Sequence, residues 1–239
     1  MSIKTPPVKP SPATSSSLET PKVTGIVLAG GRARRWNGED KGLITVAGKP
    51  MIEHVLDTLV PQCDDIIISA NRNLSAYAEY GWPVVQDQLS DFPGPLAGLA
   101  AGMQVARNAW VVLTPCDTPL IGKDLVDRLW RALAVQGDKL AAAHDGQRSQ
   151  PAFALVHRSL LADLQDYLAD GERKIEPWFE RQRRVYADFS DCPESFINVN
   201  SAADRAELEA LIKATIAGHA SNLTPATQQQ PTKASSNDH

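Results

Sequence analysis

The sequence predicts an α/β fold with a mainly parallel central sheet, and three observations predict it. Short apolar runs rich in β-branched residues recur at Val23–Leu28, Ile66–Ile68, Val84–Val85 and Trp110–Leu113, as strands buried on both faces require. Between them apolar residues fall at helical spacing, so strand and helix alternate along the chain. No internal repeat and no linker interrupts this alternation, so residues 22–216 read as one domain.

The first run, Val23–Leu28, gives way to Ala29-Gly30-Gly31, which removes nearly all side-chain bulk at the strand end. Arg32, Arg34, Arg35 and, after a polar loop, Lys41 follow. Small residues at a strand end beside fixed positive charge suit a polyphosphate; a tight turn before a solvated basic loop is the competing reading. Neither standard phosphate motif is present. Gly30-Gly31-Arg32-Ala33 does not supply the Gly-x-Gly-x-x-Gly of dinucleotide binders, and Gly48-Lys49 is followed by Pro50 where a P-loop needs Ser or Thr.

A helix follows on Met51, Ile52, Val55, Leu56, Leu59 and Val60, with Pro50 where a first-turn proline is tolerated. The second strand ends at Ser69-Ala70-Asn71, the third at Gln86-Asp87 and the fourth at Cys116-Asp117. Ligands of open parallel sheets bind beyond the carboxyl ends of the strands, so four polar or open ends on one edge suggest a site. Individually each also suits a simple turn. Pro93-Gly94-Pro95 stiffens the loop between Asp87 and Leu96, either as a pocket wall or as a turn before the Leu96–Ala106 helix. Gly98 and Gly102 weaken that helix and read as close-packing positions against the sheet.

Leu125, Val126, Leu129, Trp130 and Leu133 mark another helix, and Asp145-Gly146 a turn between strands at Leu140–Ala143 and Phe153–Val156. Leu160, Leu161, Leu164, Tyr167 and Leu168 continue the helical pattern. Phe196–Val199 reads as a last strand, on which Asn198 and Asn200 would share a face, and a closing helix runs from Ala202 to about Ala214. The ends, residues 1–21 and 217–239, are rich in Pro, Ser, Thr or Gln and poor in large apolar residues, so they read as disordered.

Composition excludes several classes. With 43% apolar residues, 22% charged residues and a net charge of −4, the 239-residue chain lacks the broad basic surface of a nucleic-acid binder. Cys63, Cys116 and Cys192 are far apart, so neither a zinc ribbon nor a disulfide framework is supported, and free thiols fit a reducing cytoplasm. No signal peptide and no membrane-length apolar run is present, so a cytoplasmic location away from membranes is expected.

Taken together, Leu28-Ala29-Gly30-Gly31, Arg35, Asp40-Lys41-Gly42-Leu43 and Gly48-Lys49-Pro50-Met51 resemble the opening signature of nucleotidyltransferases with a Rossmann-like, glycosyltransferase-A fold. Within that superfamily the chain is most similar to the molybdenum cofactor guanylyltransferase family. Ala70-Asn71-Arg72, Asp87, Asp91–Gly98, Pro115–Pro119 and Phe196–Asn200 recur in that family's order. Trp36 departs from it, standing where methionine is usual.

The resemblance implies a three-layer Rossmann-like sandwich and transfer of GMP from GTP to molybdopterin-bound molybdenum, with release of pyrophosphate. It implies nucleotide contacts at Leu28, Ala29, Gly30, Gly31, Lys41, Ser69, Asn71, Asp87 and Asp117, and molybdopterin contacts at Asn198 and Asn200. His144–Gln150 and Gly171–Lys174 are candidates for further acceptor contacts. Arg35, Lys41 and Asp117 would be catalytic. Mg²⁺ prefers one or two carboxylates with phosphate oxygens and water, and Asp117 is the candidate ligand; a helix N-cap aspartate before Pro119 is its other reading. Asn198 and Asn200 also suit turns at a strand end. The expected partners are GTP, molybdopterin-bound molybdenum and, transiently, molybdenum-cofactor synthesis proteins and acceptor molybdoenzymes, with a monomer as the working form.

Cytidylyl transfer to the same cofactor, activation of a sugar phosphate, and a non-catalytic nucleotide-binding or cofactor-delivery role are the alternatives. Gly30-Gly31 favours guanine, because cytidylyl relatives tend towards Ala-Gly there. Intact Arg35, Lys41, Asp87 and Asp117 argue against a lapsed enzyme.

Overall fold

In the computed structural model, residues 20–30, 39–87, 94–199, 201 and 203–210 are described. The terminal extensions and the end of the closing helix lie outside them. The chain opens with strand β1 (Val23–Leu28), then a 3₁₀ turn at Lys41–Leu43 and a small antiparallel hairpin of β2 (Thr45–Val46) and β3 (Lys49–Pro50). Helix α1 (Met51–Leu59) leads to β4 (Asp65–Ser69), the short α2 (Leu74–Ala78) and β5 (Val84–Val85). Helix α3 (Pro95–Val105), β6 (Trp110–Pro115) and α4 (Leu125–Gln136) follow. The chain continues through β7 (Leu140–His144), β8 (Ser149–His157), α5 (Leu161–Ala169), α6 (Ile175–Arg181) and β9 (Val185–Asp188).

Seven strands form the central sheet in the order β5-β4-β1-β6-β8-β7-β9. β5, β4, β1 and β6 run parallel; β8 alone opposes its neighbours, and β7 pairs β9 in parallel. The expected mainly parallel sheet is therefore present, and helices cover both faces. Alternate residues of each strand feed opposite cores, as the two-residue period requires. Ile66 and Ile68 join Ile52, Leu59 and Leu129 on the α1/α4 side. Ile67 joins Leu99, Met103, Leu164 and Trp178 on the side of α3, α5 and α6.

Gly98 and Gly102 are the close-packing positions read from the sequence. A Cβ on Gly98 would sit 2.6 Å from Leu28 Cδ2, and one on Gly102 would sit 2.6 Å from Ile26 Cδ1. α3 thus lies directly on β1, and no larger residue fits at either point without movement.

One expected element is absent. Phe196–Val199 is not a strand: Pro193–Phe196 forms a 3₁₀ turn, and the following residues run in irregular chain. Val199 makes one backbone bond, to Asp117 O at 3.0 Å, and no ladder. The edge of the sheet on this side is instead β9, where Val185 and Ala187 point inward and Tyr186 and Asp188 outward. Residues 203–210 are helical, and Leu208 packs with Ile44, Val46, Met51 and Val199 in a third, smaller cluster. Among the described residues no helix is long and apolar enough to cross a membrane, and the three cysteines are free thiols.

Candidate active site

The order of the strands places the site. From β1 the chain moves outward to β4 and β5, then crosses back to β6 on the other side of β1. The carboxyl ends of β1 and β6 therefore border a topological switch point, where open α/β sheets leave a crevice. The chain ends there are held in register beyond the strands. The Ala29 N–H donates to Ser69 O at 2.7 Å, and the Cys116 N–H donates to Leu28 O at 2.9 Å.

Gly30 is required by its backbone. Its φ is +72°, and a Cβ would lie 3.0 Å from Asn71 N. Its N–H donates to the Tyr77 hydroxyl at 3.3 Å, so this amide is engaged by the protein. Gly31 and Arg35 lie outside the described residues.

Lys41 and Asp117 come together across the switch point although they are 76 residues apart, with Nζ 2.9 Å from Oδ2. Their side chains are 21% and 16% exposed, so the pair is shielded yet reachable. Asp40, only 5% exposed, is a different kind of carboxylate. Its Oδ1 accepts from the Tyr77 hydroxyl at 2.6 Å and from the Gly42 N–H at 3.3 Å, and its Oδ2 accepts from Asn73 Nδ2 at 3.0 Å. Both Asp40 oxygens are thus engaged inside the protein, whereas Asp117, bonded through Oδ2 to Lys41, is the more exposed carboxylate of this corner. Beneath it Cys116 is buried, and burial pushes its thiol well above the ordinary range, so it stays protonated.

On the other side of β1, Asn71 and Asp87 form a reciprocal pair. Asn71 Nδ2 donates to Asp87 Oδ2 at 2.6 Å, and the Asp87 N–H donates to Asn71 Oδ1 at 3.1 Å. Ser69 is buried beneath α3, where a Cβ on Gly98 would fall 2.8 Å from its Oγ. A cleft of about 210 Å³ opens beside Asp87 between α3 and α5, lined by Gln86, Ala97, Gln104 and Gln165.

Asn198 is brought to the Asp117 side of the site by the irregular segment, not by a strand. Its Oδ1 accepts from the Thr118 hydroxyl at 2.8 Å, and the next residue bonds to Asp117 O. Asn198 is exposed, and Asn200 lies outside the described residues. His144 stands at the end of β7, where its Nδ1 accepts from the Gly146 N–H at 3.1 Å and its ring meets Tyr186 edge-on.

Four residues bonded around the site were given no role by the sequence reading, although Asp40 and Thr118 stand within its motifs: Asp40, Tyr77, Asn73 and Thr118. A carboxylate directly before Lys41 and two residues before Gly42 was a signal for the first, since Asp favours such turn positions. No local pattern pointed to the others, because their partners are distant in sequence. Among the described residues no group of three or more His, Cys, Asp or Glu side chains is placed to hold a metal. A single carboxylate still fits Mg²⁺, which completes its shell with phosphate oxygens and water.

Residues 25–186 match the MobA-like NTP transferase domain family. A molybdenum cofactor guanylyltransferase of Vibrio cholerae is 43% identical over 198 residues, spanning 83% of this chain and 97% of that protein. One from Shewanella loihica is 40% identical over 193 residues, spanning 81% and 98%. The crystal structure of molybdopterin-guanine dinucleotide biosynthesis protein A from Archaeoglobus fulgidus superposes with a TM-score of 0.68 over 80% of this chain and 99% of that one, at 23% identity.

Proposed function

The chain belongs to the MobA-like NTP transferase family, and from that premise we propose that it transfers GMP from GTP to the terminal phosphate of molybdopterin-bound molybdenum. The product is the molybdopterin guanine dinucleotide cofactor, and pyrophosphate is released. The observation that carries the reading is the Lys41–Asp117 pair, 2.9 Å apart at the switch point of this sheet.

An oxygen of the acceptor phosphate attacks the α-phosphorus of GTP. A new P–O bond forms as the bond to the bridging α–β oxygen breaks, and the electron pair leaves with pyrophosphate. A phosphate monoester has a second pKa of about 6, so the nucleophile is already largely ionised at neutral pH and needs no protein base. The task is to bring two polyanions together. Lys41, and Arg35 outside the described residues, act as fixed cations toward the triphosphate and the departing pyrophosphate. Asp117 is the residue that would hold Mg²⁺, which supplies charge compensation on phosphate oxygens when bound.

Asn71 and Asp87 hold each other in place to read the guanine or ribose, with Leu28, Ala29, Gly30 and Ser69 shaping the nucleotide side and Gly31, outside the described residues, assigned to it. A carboxylate accepts from the N–H groups of guanine, and CTP lacks the matching edge. Asn198, and Asn200 outside the described residues, are the side chains assigned to molybdopterin.

The test is pyrophosphate release with each of the four nucleoside triphosphates, with and without molybdopterin. GTP with molybdopterin is expected to turn over far faster than any other combination. Equal release from all four would overturn the guanylyl assignment.

A further inference from the structure

We propose that Tyr77 is a positioning residue: by joining Gly30 to Asp40 it holds Lys41 against Asp117 at the triphosphate end of the site. The inference rests on the reading that Lys41 and Asp117 meet the triphosphate.

Tyr77 is fully buried, and it is the one buried residue of the five-residue α2. If packing were its whole purpose, a phenylalanine ring would fill the same space. Its hydroxyl is instead bonded on both sides. It accepts from the Gly30 N–H at 3.3 Å and donates to Asp40 Oδ1 at 2.6 Å. It therefore links the end of β1 to the residue preceding Lys41. Burial, above all, pushes the phenol far above its ordinary range, so the hydroxyl keeps its proton and remains a donor.

The surroundings leave this link little slack. A Cβ on Gly42 would meet the Tyr77 hydroxyl at 2.6 Å and Cys116 Sγ at 3.0 Å. Asn73, one residue before α2, grips the other oxygen of Asp40 at 3.0 Å. Two side chains of one short segment thus fix both oxygens of a carboxylate whose neighbour is Lys41. Tyr77 touches neither Lys41 nor Asp117 through any of these bonds, so its influence passes through Asp40. The base-side pair, Asn71 and Asp87, has bonds of its own and does not depend on this link.

That division gives the test. Tyr77→Phe in the full chain keeps the ring and removes the link. Calorimetric titration with GTP and with guanosine, together with turnover, separates the two ends of the ligand. An unsatisfied buried polar group is worth about ten-fold in an equilibrium, so GTP affinity and kcat should each fall by about that factor while guanosine affinity stays within about two-fold. In a Lys41→Ala background the same substitution should add less than about two-fold, because the group it positions is gone. Equal losses for GTP and guanosine, a full additional loss in the Lys41→Ala background, or no loss at all would each overturn the proposal.

Should Tyr77→Phe fail to fold, Asn73→Gly carries the test. Glycine suits the left-handed backbone of this residue, φ 50°, and removes only the grip on Asp40. A GTP-selective loss of about three-fold is expected there, on the scale of one hydrogen bond; unchanged GTP affinity overturns the proposal. Should another triphosphate bind better than GTP, the guanylyl reading falls, while the comparison runs unchanged with that triphosphate and its nucleoside.

Discussion

The two halves of the cleft are built differently. On the proposed nucleotide side Asn71, Asp87 and Asp117 stand just past the ends of parallel strands and Lys41 opens the 3₁₀ turn Lys41–Leu43, with Lys41 bonded to Asp117 and Asn71 to Asp87. On the acceptor side Asn198 projects from irregular chain, tethered by Thr118 and one backbone bond from Val199. Fixed groups at strand ends are suited to gripping a ligand whose charge is concentrated and whose geometry does not vary. The proposed nucleotide half is thus built on two side-chain pairs and the proposed acceptor half on one side-chain bond, and substitutions should expose the difference.

The largest effect is expected for Asp117→Asn. It is nearly isosteric, so the fold should persist, but kcat should fall by about a hundred-fold or more through several kcal/mol of lost charge stabilisation. A Mg²⁺ titration of turnover should lose its steepness. Full activity in this variant would remove Asp117 from the reaction.

Next comes Asn71→Ala, which leaves Asp87 without its fixed donor. Hydrogen bonds to charged groups contribute about 1.5–3 kcal/mol, so GTP affinity measured by titration should drop by roughly ten-fold to a hundred-fold. Molybdopterin affinity should not change; a parallel loss would mean that the halves are not independent.

Gly98→Ala probes the backing of the nucleotide half. The new methyl meets Leu28 and Ser69 at 2.6 and 2.8 Å, and overpacking of this kind costs about 1–3 kcal/mol. The unfolding free energy from a denaturant titration should fall by that amount, and GTP affinity should fall with it because Leu28 and Ser69 border the proposed site.

Asn198→Ala should weaken molybdopterin binding by about five-fold, on the scale of one net hydrogen bond, and leave the GTP dissociation constant unchanged. Collapse of GTP affinity would place this residue on the wrong half.

The smallest effect belongs to His144→Ala. Its ring supports the turn at Gly146 and meets Tyr186 edge-on, so turnover and its pH profile should stay within about two-fold, since the phosphate nucleophile is already ionised near neutral pH. A folded variant that binds both substrates without turning over would refute catalysis without a protein base.

The same contrast explains what the sequence revealed. The candidate positions Asn71, Asp87 and Asp117 were legible in short local strings, in which a buried apolar run names the strand and the next residues its end; Lys41, farther from β1, was read from the cluster of cations after it. Tyr77 was not legible, because its partner Asp40 is 37 residues away and a buried tyrosine in a short helix looks like ordinary core. The acceptor half misled. Apolar Phe196 and Val199 around Asn198 mimic a strand, but Pro193 opens a 3₁₀ turn through Phe196 and leaves no length for a ladder. The true edge strand, Val185–Asp188, hides behind Arg181, Arg183 and Arg184, and helix α6 behind Pro177, which its first turn tolerates.

The position of β1 has a consequence for how the chain comes to be folded. It is made before the other described strands, and its two edges are covered by strands made later, with Thr24 opposite Asp65 and Val23 opposite Trp110. At a synthesis rate of about 5–20 residues per second, roughly 4–17 s pass between the appearance of β1 and that of β6. Throughout that interval an apolar segment with unpaired backbone groups waits for a neighbour, and such segments invite pairing with other chains. β7 and β8, by contrast, are joined by a tight hairpin and can zip together as soon as they emerge. The last pairing to close on β1 is that of β6, which assembles the switch point, so the site takes shape only once β6 is in place.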